Sequence, residues 1–168
     1  TLYRNMAKLT LTLGEGLTGY IAGFVNYNTN GTIVPSNDEV GNTPTIPTNV
    51  QMRSYEADNS LGNVYYLFEH ANVKGSNPLY VIVEVLAKYY KIAFATGDAY
   101  FPIIRNHGYQ INIEKIDDSY AETTYMDAVN STYPINDLVI TEVDLDVVST
   151  PTEVLNESGQ TSTVTVTI

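Results

Sequence analysis

The residue types most often recruited for chemistry are thinly spread along this 168-residue chain. Its two histidines, His70 and His107, lie far apart, and neither has a second His or a Cys at a spacing that would share a metal ion. Each is expected to be a structural histidine. Cysteine is absent altogether, which excludes a thiolate metal site, a Cys nucleophile and a disulfide framework. Asp117-Asp118 and the pair Asp144 and Asp146 offer oxygens of the kind calcium takes. They lack the spaced ligand series, turning Gly and distal Glu of a calcium loop, so they read as a solvated turn and a solvated strand face. A hydrolase would need two carboxylates, from Glu56, Glu69 or Glu84, facing one cleft at catalytic spacing. No Gly-x-Ser-x-Gly elbow, phosphate-cradling loop or His-Glu-x-x-His occurs in the chain. The expectation is a protein that is not an enzyme, with no catalytic residues, no metal and no cofactor.

Aromatic pairs are the remaining candidates. Tyr65-Tyr66, Tyr89-Tyr90 and Tyr100-Phe101 could form a stacking platform for sugar rings, because an aromatic face buries apolar area while its tip stays polar. Neighbouring strand residues point to opposite faces, so one of each pair is expected in a core. Asn30-Gly31-Thr32, Asn130-Ser131-Thr132 and Asn156-Glu157-Ser158 match the N-glycosylation pattern, which arises often by chance in an Asn- and Thr-rich chain and carries no inference here.

The elements that would position these residues follow from composition and period. Hydrophobic residues make up 43% and charged residues only 16%, with 14 Tyr and no Trp. An average soluble domain carries about 25% charged residues. Thr and Tyr suit a pleated, half-buried surface, and Asn and Gly suit turns, so the composition leans all-β. The net charge of −11 repels a polyanion at long range, which excludes nucleic acid as a partner, and acidity of this kind keeps exported proteins soluble. No run of about 20 apolar residues is present, and no basic segment leads an apolar one at the start. The expectation is a chain without a membrane span or a leader, read as a mature or truncated product.

Ala7, Leu9, Leu11 and Leu13 alternate with Lys8, Thr10 and Thr12, the period of a half-buried strand. Residues 17–27 form a second strand interrupted by Gly19 and Gly23, where a bulge or close backbone approach is expected. Residues 28–31 read as a turn and 34–49 as a long surface loop. Further strands are predicted over 63–70, 79–86, 89–95, 109–116 and 138–148, and one short helix over 124–130. Short strands separated by turn signals predict an all-β, Greek-key-like β-sandwich of about seven or more strands. One such domain is expected over 1–148, followed by a C-terminal extension over 149–168. Within the extension Val164, Val166 and Ile168 face one way and Thr163, Thr165 and Thr167 the other.

One ordered set of segments resembles the fimbrillin family, the type V pilin subunits and their anchor and tip relatives of Gram-negative bacteria from mouth and gut. Its members are Arg4-Asn5-Met6-Ala7-Lys8 leading into the first strand, then Val25-Asn26-Tyr27-Asn28 running on to Val34-Pro35. Tyr65-Tyr66-Leu67-Phe68-Glu69-His70 follows, then Leu79-Tyr80-Val81-Ile82-Val83 and Tyr89-Tyr90-Lys91-Ile92. The most telling piece runs from Ile103 to Ile113 and contains Arg105-Asn106 and Tyr109, with Tyr120 and the Ala128-containing helix after it. The likeness spans roughly residues 4 to 145 and is to the C-terminal-domain portion of such pilins. It departs from the family in length, which suffices for about one of the usual two sandwich domains, and in lacking the lipidated Cys of the precursors.

The residues alone give Arg105 a structural role: at the start of a strand its guanidinium can tie a loop carbonyl or a carboxylate. The resemblance implies more. It implies a structural or adhesive component of cell-surface fimbriae, outside the cell at the outer membrane surface, whose partners are other fimbrial subunits joined by β-strand addition, with a host or bacterial surface ligand as a further partner. In strand addition main-chain bonds give affinity and alternating pockets give register. The candidate donor strand is Thr161, Thr163, Val164, Thr165, Val166, Thr167 and Ile168. Burying three such apolar side chains is worth roughly 1.5–3 kcal/mol each, against about 1–2 kcal/mol for fixing each backbone residue. A durable joint therefore needs a preformed groove, or a longer segment reaching Val154 and Leu155. The same strand could instead pair within its own sandwich or begin a further domain. A glycan-binding surface lipoprotein module is the alternative, and the lack of Trp weighs against it.

Overall fold

A computed structural model describes residues 5–33, 43–56, 62–136 and 140–144, with residues 55–56 and 140–144 described by backbone alone. Two four-stranded sheets face each other. The first has the order β10-β9-β1-β4 and the second β3-β2-β5-β6, where β1 is Ala7–Leu13, β2 Gly19–Asn28, β3 Met52–Glu56, β4 Val64–Leu67, β5 Tyr80–Val85, β6 Lys88–Ala93, β9 His107–Ile113 and β10 Ile140–Asp144. A small hairpin, β7 (Ala95–Thr96) with β8 (Ala99–Tyr100), sits between β6 and β9. The chain changes sheet between β1 and β2, β3 and β4, β4 and β5, and again before β9, so the two layers are interlaced in Greek-key fashion. This is the all-β sandwich with one short helix that composition and period predict.

Alternation builds the core. Ala7, Leu9 and Leu11 of β1 are fully or almost fully buried, as are Val81, Val83 and Val85 of β5 and Tyr109, Ile111 and Ile113 of β9. These side chains meet Ile21, Phe24, Tyr65, Leu67, Ile92 and Phe94 between the sheets. In the first sheet β1 runs parallel to β9, pairing Leu9 with Tyr109 and Leu11 with Ile111, and antiparallel to β4. Parallel pairing of strands a hundred residues apart is not a feature that local patterns report.

Strand β2 departs from strict alternation, and its two glycines explain how. A methyl group on Gly19 would lie 2.0 Å from the Glu84 carbonyl oxygen, so only glycine lets β2 come this close to β5. Register then slips between Ile21 and Gly23 against β5, and again between Phe24 and Tyr27 against β3, where Asn26 takes φ 57°. The slips turn Ile21 and Phe24 into the main core, while Ala22 and Val25 face outward. On that outer face lies helix α1, Tyr125–Asn130. Thr124 caps it by accepting from the Asp127 N–H, and Ala128 packs onto Ala22, Val25 and Ile82. At its far end the Lys91 ammonium donates to the carbonyls of Val129 and Ser131 and lies 4.5 Å from the centre of the Tyr80 ring.

Several expectations shift in detail. Strand β3 falls between the loop expected over 34–49 and the strand expected from 63, where no element is predicted because Met52, Arg53 and Ser54 are all exposed and show no alternation. Residues 28–31 are not a tight turn: Asn28 pairs with Met52, the Thr29 N–H donates to the Gln51 carbonyl, and β2 with its continuation is held to 49–52. The domain boundary at 148 and the strand over 161–168 lie outside the described residues. No helix among the described residues is long and apolar enough to cross a membrane.

Candidate functional site

The two sides of the sandwich are finished differently. On one side the outer edge of β6 is covered: Tyr89 exchanges both main-chain bonds with Glu122, and Ile135 bonds to Lys91 and Ala93. Tyr90, Ile92, Ile113 and Ile135 close that side around a cavity of only about 30 Å³. On the other side β3 and β4 are the outermost strands of their sheets, and among the described residues no strand pairs beyond either. Unpaired edges are where a sheet accepts another chain.

Between these two edges runs a groove of about 510 Å³, lined by Phe24, Tyr27 and Thr29 from β2 and its continuation, Arg53 from β3, and Val64, Tyr65 and Tyr66 from β4. Its floor is aromatic. The rings of Phe24 and Tyr65 meet edge to face at 5.4 Å between centroids, and Tyr27 leans on Phe24 at 5.8 Å. Phe24 and Tyr65 also belong to the main core, so the groove reaches the sandwich interior. Val64 and Tyr66, on the opposite side of β4 from Tyr65, are 38% and 51% exposed at its rim. Arg53 places a cation at the mouth of an otherwise apolar slot in a strongly acidic chain.

One end of the groove is tied by a buried polar cluster. Arg105, immediately before β9, is 2% exposed, and Glu69, just beyond β4, is 4% exposed. The Glu69 carboxylate accepts from Arg105 Nε at 2.8 Å and Nη2 at 2.7 Å on one oxygen, and from the Arg105 backbone N–H at 3.2 Å on the other. The same guanidinium donates to the Ile33 carbonyl at 3.1 Å and to the Thr32 hydroxyl. Asn28, the last residue of β2, donates from Nδ2 to the Glu69 carbonyl at 2.6 Å. A guanidinium with a carboxylate and a carbonyl distributed over its fork is charge-assisted and geometrically specific.

The other signature residues sit around this cluster. Asn106 adopts φ 62°, a left-handed conformation that Asn tolerates better than most residues, and its N–H donates to the Met6 carbonyl ahead of β1. The Tyr109 hydroxyl accepts from the Ile104 N–H at 2.9 Å and donates to the Pro102 carbonyl at 3.0 Å, fixing the corner where the chain enters β9. Its ring stacks on Phe101 with 2° between planes. Arg105, Asn106 and Tyr109 are thus brought together; the candidate donor residues over 161–168 lie outside the described residues.

The residues weighed for chemistry are scattered. His70 and His107 are both buried: His107 Nδ1 is 2.8 Å from the Arg105 carbonyl oxygen, and the His70 backbone exchanges two bonds with Ile103. His70 Nδ1 accepts from the Asn72 N–H, and burial holds its pKa below the ordinary 6.5, outweighing a backbone hydrogen bond at Asn26. Glu69 is committed to Arg105, whereas Glu84 lies on the outer face of the second sheet and accepts from the Tyr20 hydroxyl. Asp117 caps a 3-10 turn through the Ser119 N–H. Among the described residues no three His, Cys, Asp or Glu side chains cluster as metal ligands. Of the aromatic pairs, Tyr65 and Tyr90 are buried while Tyr66 and Tyr89 face outward, as alternation requires.

Two organising residues escaped the sequence reading. Asn72, 1% exposed, donates to the carbonyls of Phe94 and Phe101 and accepts from the Leu79 N–H, pinning three segments at once. Arg53 sits on a strand that periodicity did not reveal. The only local hint for Asn72 is an Asn embedded between apolar neighbours.

No family model and no curated protein matches the chain. Solved structures similar to it include the tip fimbrial protein Mfa3 from Porphyromonas gingivalis with a C-terminal truncation, at 16% identity and a TM-score of 0.47 over 84% of this chain and 52% of that one. A candidate cell adhesion protein from Parabacteroides distasonis is similar at 17% identity and a TM-score of 0.37, over 83% of this chain and 51% of that one. The chain spans about half the length of each. Likeness at this level does not decide the fold, which rests on the strand order and core described above.

Proposed function

We propose that this chain is a structural or adhesive component of cell-surface fimbriae that joins its neighbours by capturing an extended segment in the groove between β3 and β4. The observation that carries the proposal is the groove itself, an aromatic-floored slot reaching the core between two edge strands. A preformed acceptor of this kind is what the energy balance of a short donor strand requires, because burial of three apolar side chains falls short of the cost of ordering eight residues.

The occupant assigned to it is residues 161–168 of a second copy, or the equivalent strand of another subunit. Val164, Val166 and Ile168 supply alternating apolar side chains for the aromatic floor, and the threonines between them suit the solvent side. Placement supports a head-to-tail arrangement. The last described strand, β10, lies at the opposite edge of its sheet from β4, so it and the groove are on different sides of the subunit. A heterologous contact of this kind propagates as a filament, not a closed dimer. The ordered run of fimbrillin-like segments supports the same reading, and nothing in the arrangement of carboxylates and histidines calls for catalysis.

Deletion of 161–168 tests it. The shortened chain is expected to keep a cooperative thermal transition while losing concentration-dependent self-association in sedimentation velocity. Loss of folding on deletion would place the segment in the domain's own sheet and contradict the proposal.

A further inference from the structure

The Arg105–Glu69 pair is buried among the apolar core, at 2% and 4% exposure, yet the strand-capture reading assigns it no contact with a partner. Its geometry suggests what it does. Glu69 follows β4, and Asn28, Thr32 and Ile33 end or follow β2. These are the strands that contribute the two facing walls of the groove, and the cluster joins them through one guanidinium carried by the segment before β9. A second contact acts beside it: a methyl group on Gly31 would lie 2.5 Å from the Phe68 ring, so the backbone after β2 is pressed directly on the residue after Leu67.

We propose that the Arg105–Glu69 pair is a positioning device that fixes the gape of the groove between β3 and β4. It holds one end of the two sheets at the face-to-face spacing of about 10 Å. That spacing admits the side chains from one face of an extended strand and excludes a helix or hairpin. The inference rests on the groove being a strand acceptor. A buried pair suits this task because breaking it would leave an uncompensated charge in the interior, so the contact does not yield when an occupant pushes on the walls. The neutral bond from Asn28 to the Glu69 carbonyl and the charge-assisted one from Arg105 to Ile33 involve the same two residues and stiffen the assembly.

The test uses the native lack of cysteine. Spin labels on Ser54→Cys of β3 and Tyr66→Cys of β4, introduced into the full chain, report the distance across the groove by pulsed electron resonance. With the pair intact the distribution is expected to be one narrow peak. Adding Glu69→Gln should broaden it and lengthen its mean by a few ångströms, up to about one strand spacing of ~4.8 Å, in a protein that still melts cooperatively. A folded Glu69→Gln variant with an unchanged distribution overturns the proposal. If Glu69→Gln does not fold, Thr32→Val removes one contact and keeps the ion pair; it should broaden the peak to a smaller degree, and an unchanged peak there overturns the proposal equally. A peptide of residues 152–168 should narrow the widened distribution of Glu69→Gln. A peak that responds to Glu69→Gln but not to the peptide supports the positioning role and contradicts strand capture, so the two failures are distinct.

Discussion

Single side chains in this protein do their work by joining segments that are distant in sequence. Asn72 is the clearest case, with three hydrogen bonds to Phe94, Phe101 and Leu79. Its replacement by Ala would take their Asn72 partner from the Phe101 carbonyl and the Leu79 N–H, while the Phe94 carbonyl keeps the Phe101 N–H; each buried group left unsatisfied costs roughly 1–3 kcal/mol. Urea unfolding of Asn72→Ala should therefore show a loss of at least about 2 kcal/mol, well outside the ±0.5 typical of surface changes. His70 gives a pH dependence with a definite sign. Its folded pKa lies below 6.5, so on acidification the unfolded chain takes up the proton first. The stability it contributes is complete above pH 6.5 and falls as pH drops from there toward the lowered folded value. The slope of unfolding free energy between about pH 5 and pH 7 should be shallower in His70→Gln than in the parent chain. That one tyrosine each of Tyr65-Tyr66 and Tyr89-Tyr90 is buried was legible from alternation, though not which one. The partner of Arg105 was not, since Glu69 is 36 residues away and on another strand's end.

Elements were legible where one face is buried and obscure where neither is. β1, β5, β6 and β9 follow from period-two patterns because every second side chain enters the core. β3 was missed because its first three residues are all exposed, so no pattern marks it. The turn between β5 and β6 was also opaque. Val85 pairs with Lys88, and the two residues between them, Leu86 and Ala87, take φ 51° and 60°. A two-residue turn of this kind normally carries Asn-Gly, and here it carries side chains that the left-handed region penalises by about 1–2 kcal/mol per residue. Leu86 is 53% exposed, so little burial is lost on replacing it. The double change Leu86→Asn with Ala87→Gly should raise stability by about 1 kcal/mol, read as a higher denaturation midpoint with an unchanged slope. The hydrogen bond from the Leu86 N–H to the Thr18 carbonyl is kept in either form.

At the scale of the whole molecule the decisive feature is asymmetry: on one side Glu122 and Ile135 cover the β6 edge beside the outermost strand β10, and on the other, among the described residues, two edges stand with an aromatic slot between them. Composition could predict a sandwich but not which described strands would be outermost, because that depends on the pairing of β1 with β9 and the placement of β3 over β4. Under the proposed function, the groove, the clamp at its end and the amphipathic segment 161–168 would serve linear assembly. The absence of native cysteine permits a direct measurement. Chains carrying Tyr66→Cys alone are mixed with chains carrying a single cysteine at Val164, Thr165 or Val166 and oxidised mildly, and the disulfide-linked heterodimers are quantified. Capture of the strand predicts efficient linkage from Thr165, which shares the solvent side with position 66, and little from Val164 and Val166, which face the floor with Tyr65. Equal yields from all three positions, or linkage no better than between non-associating chains, would contradict it.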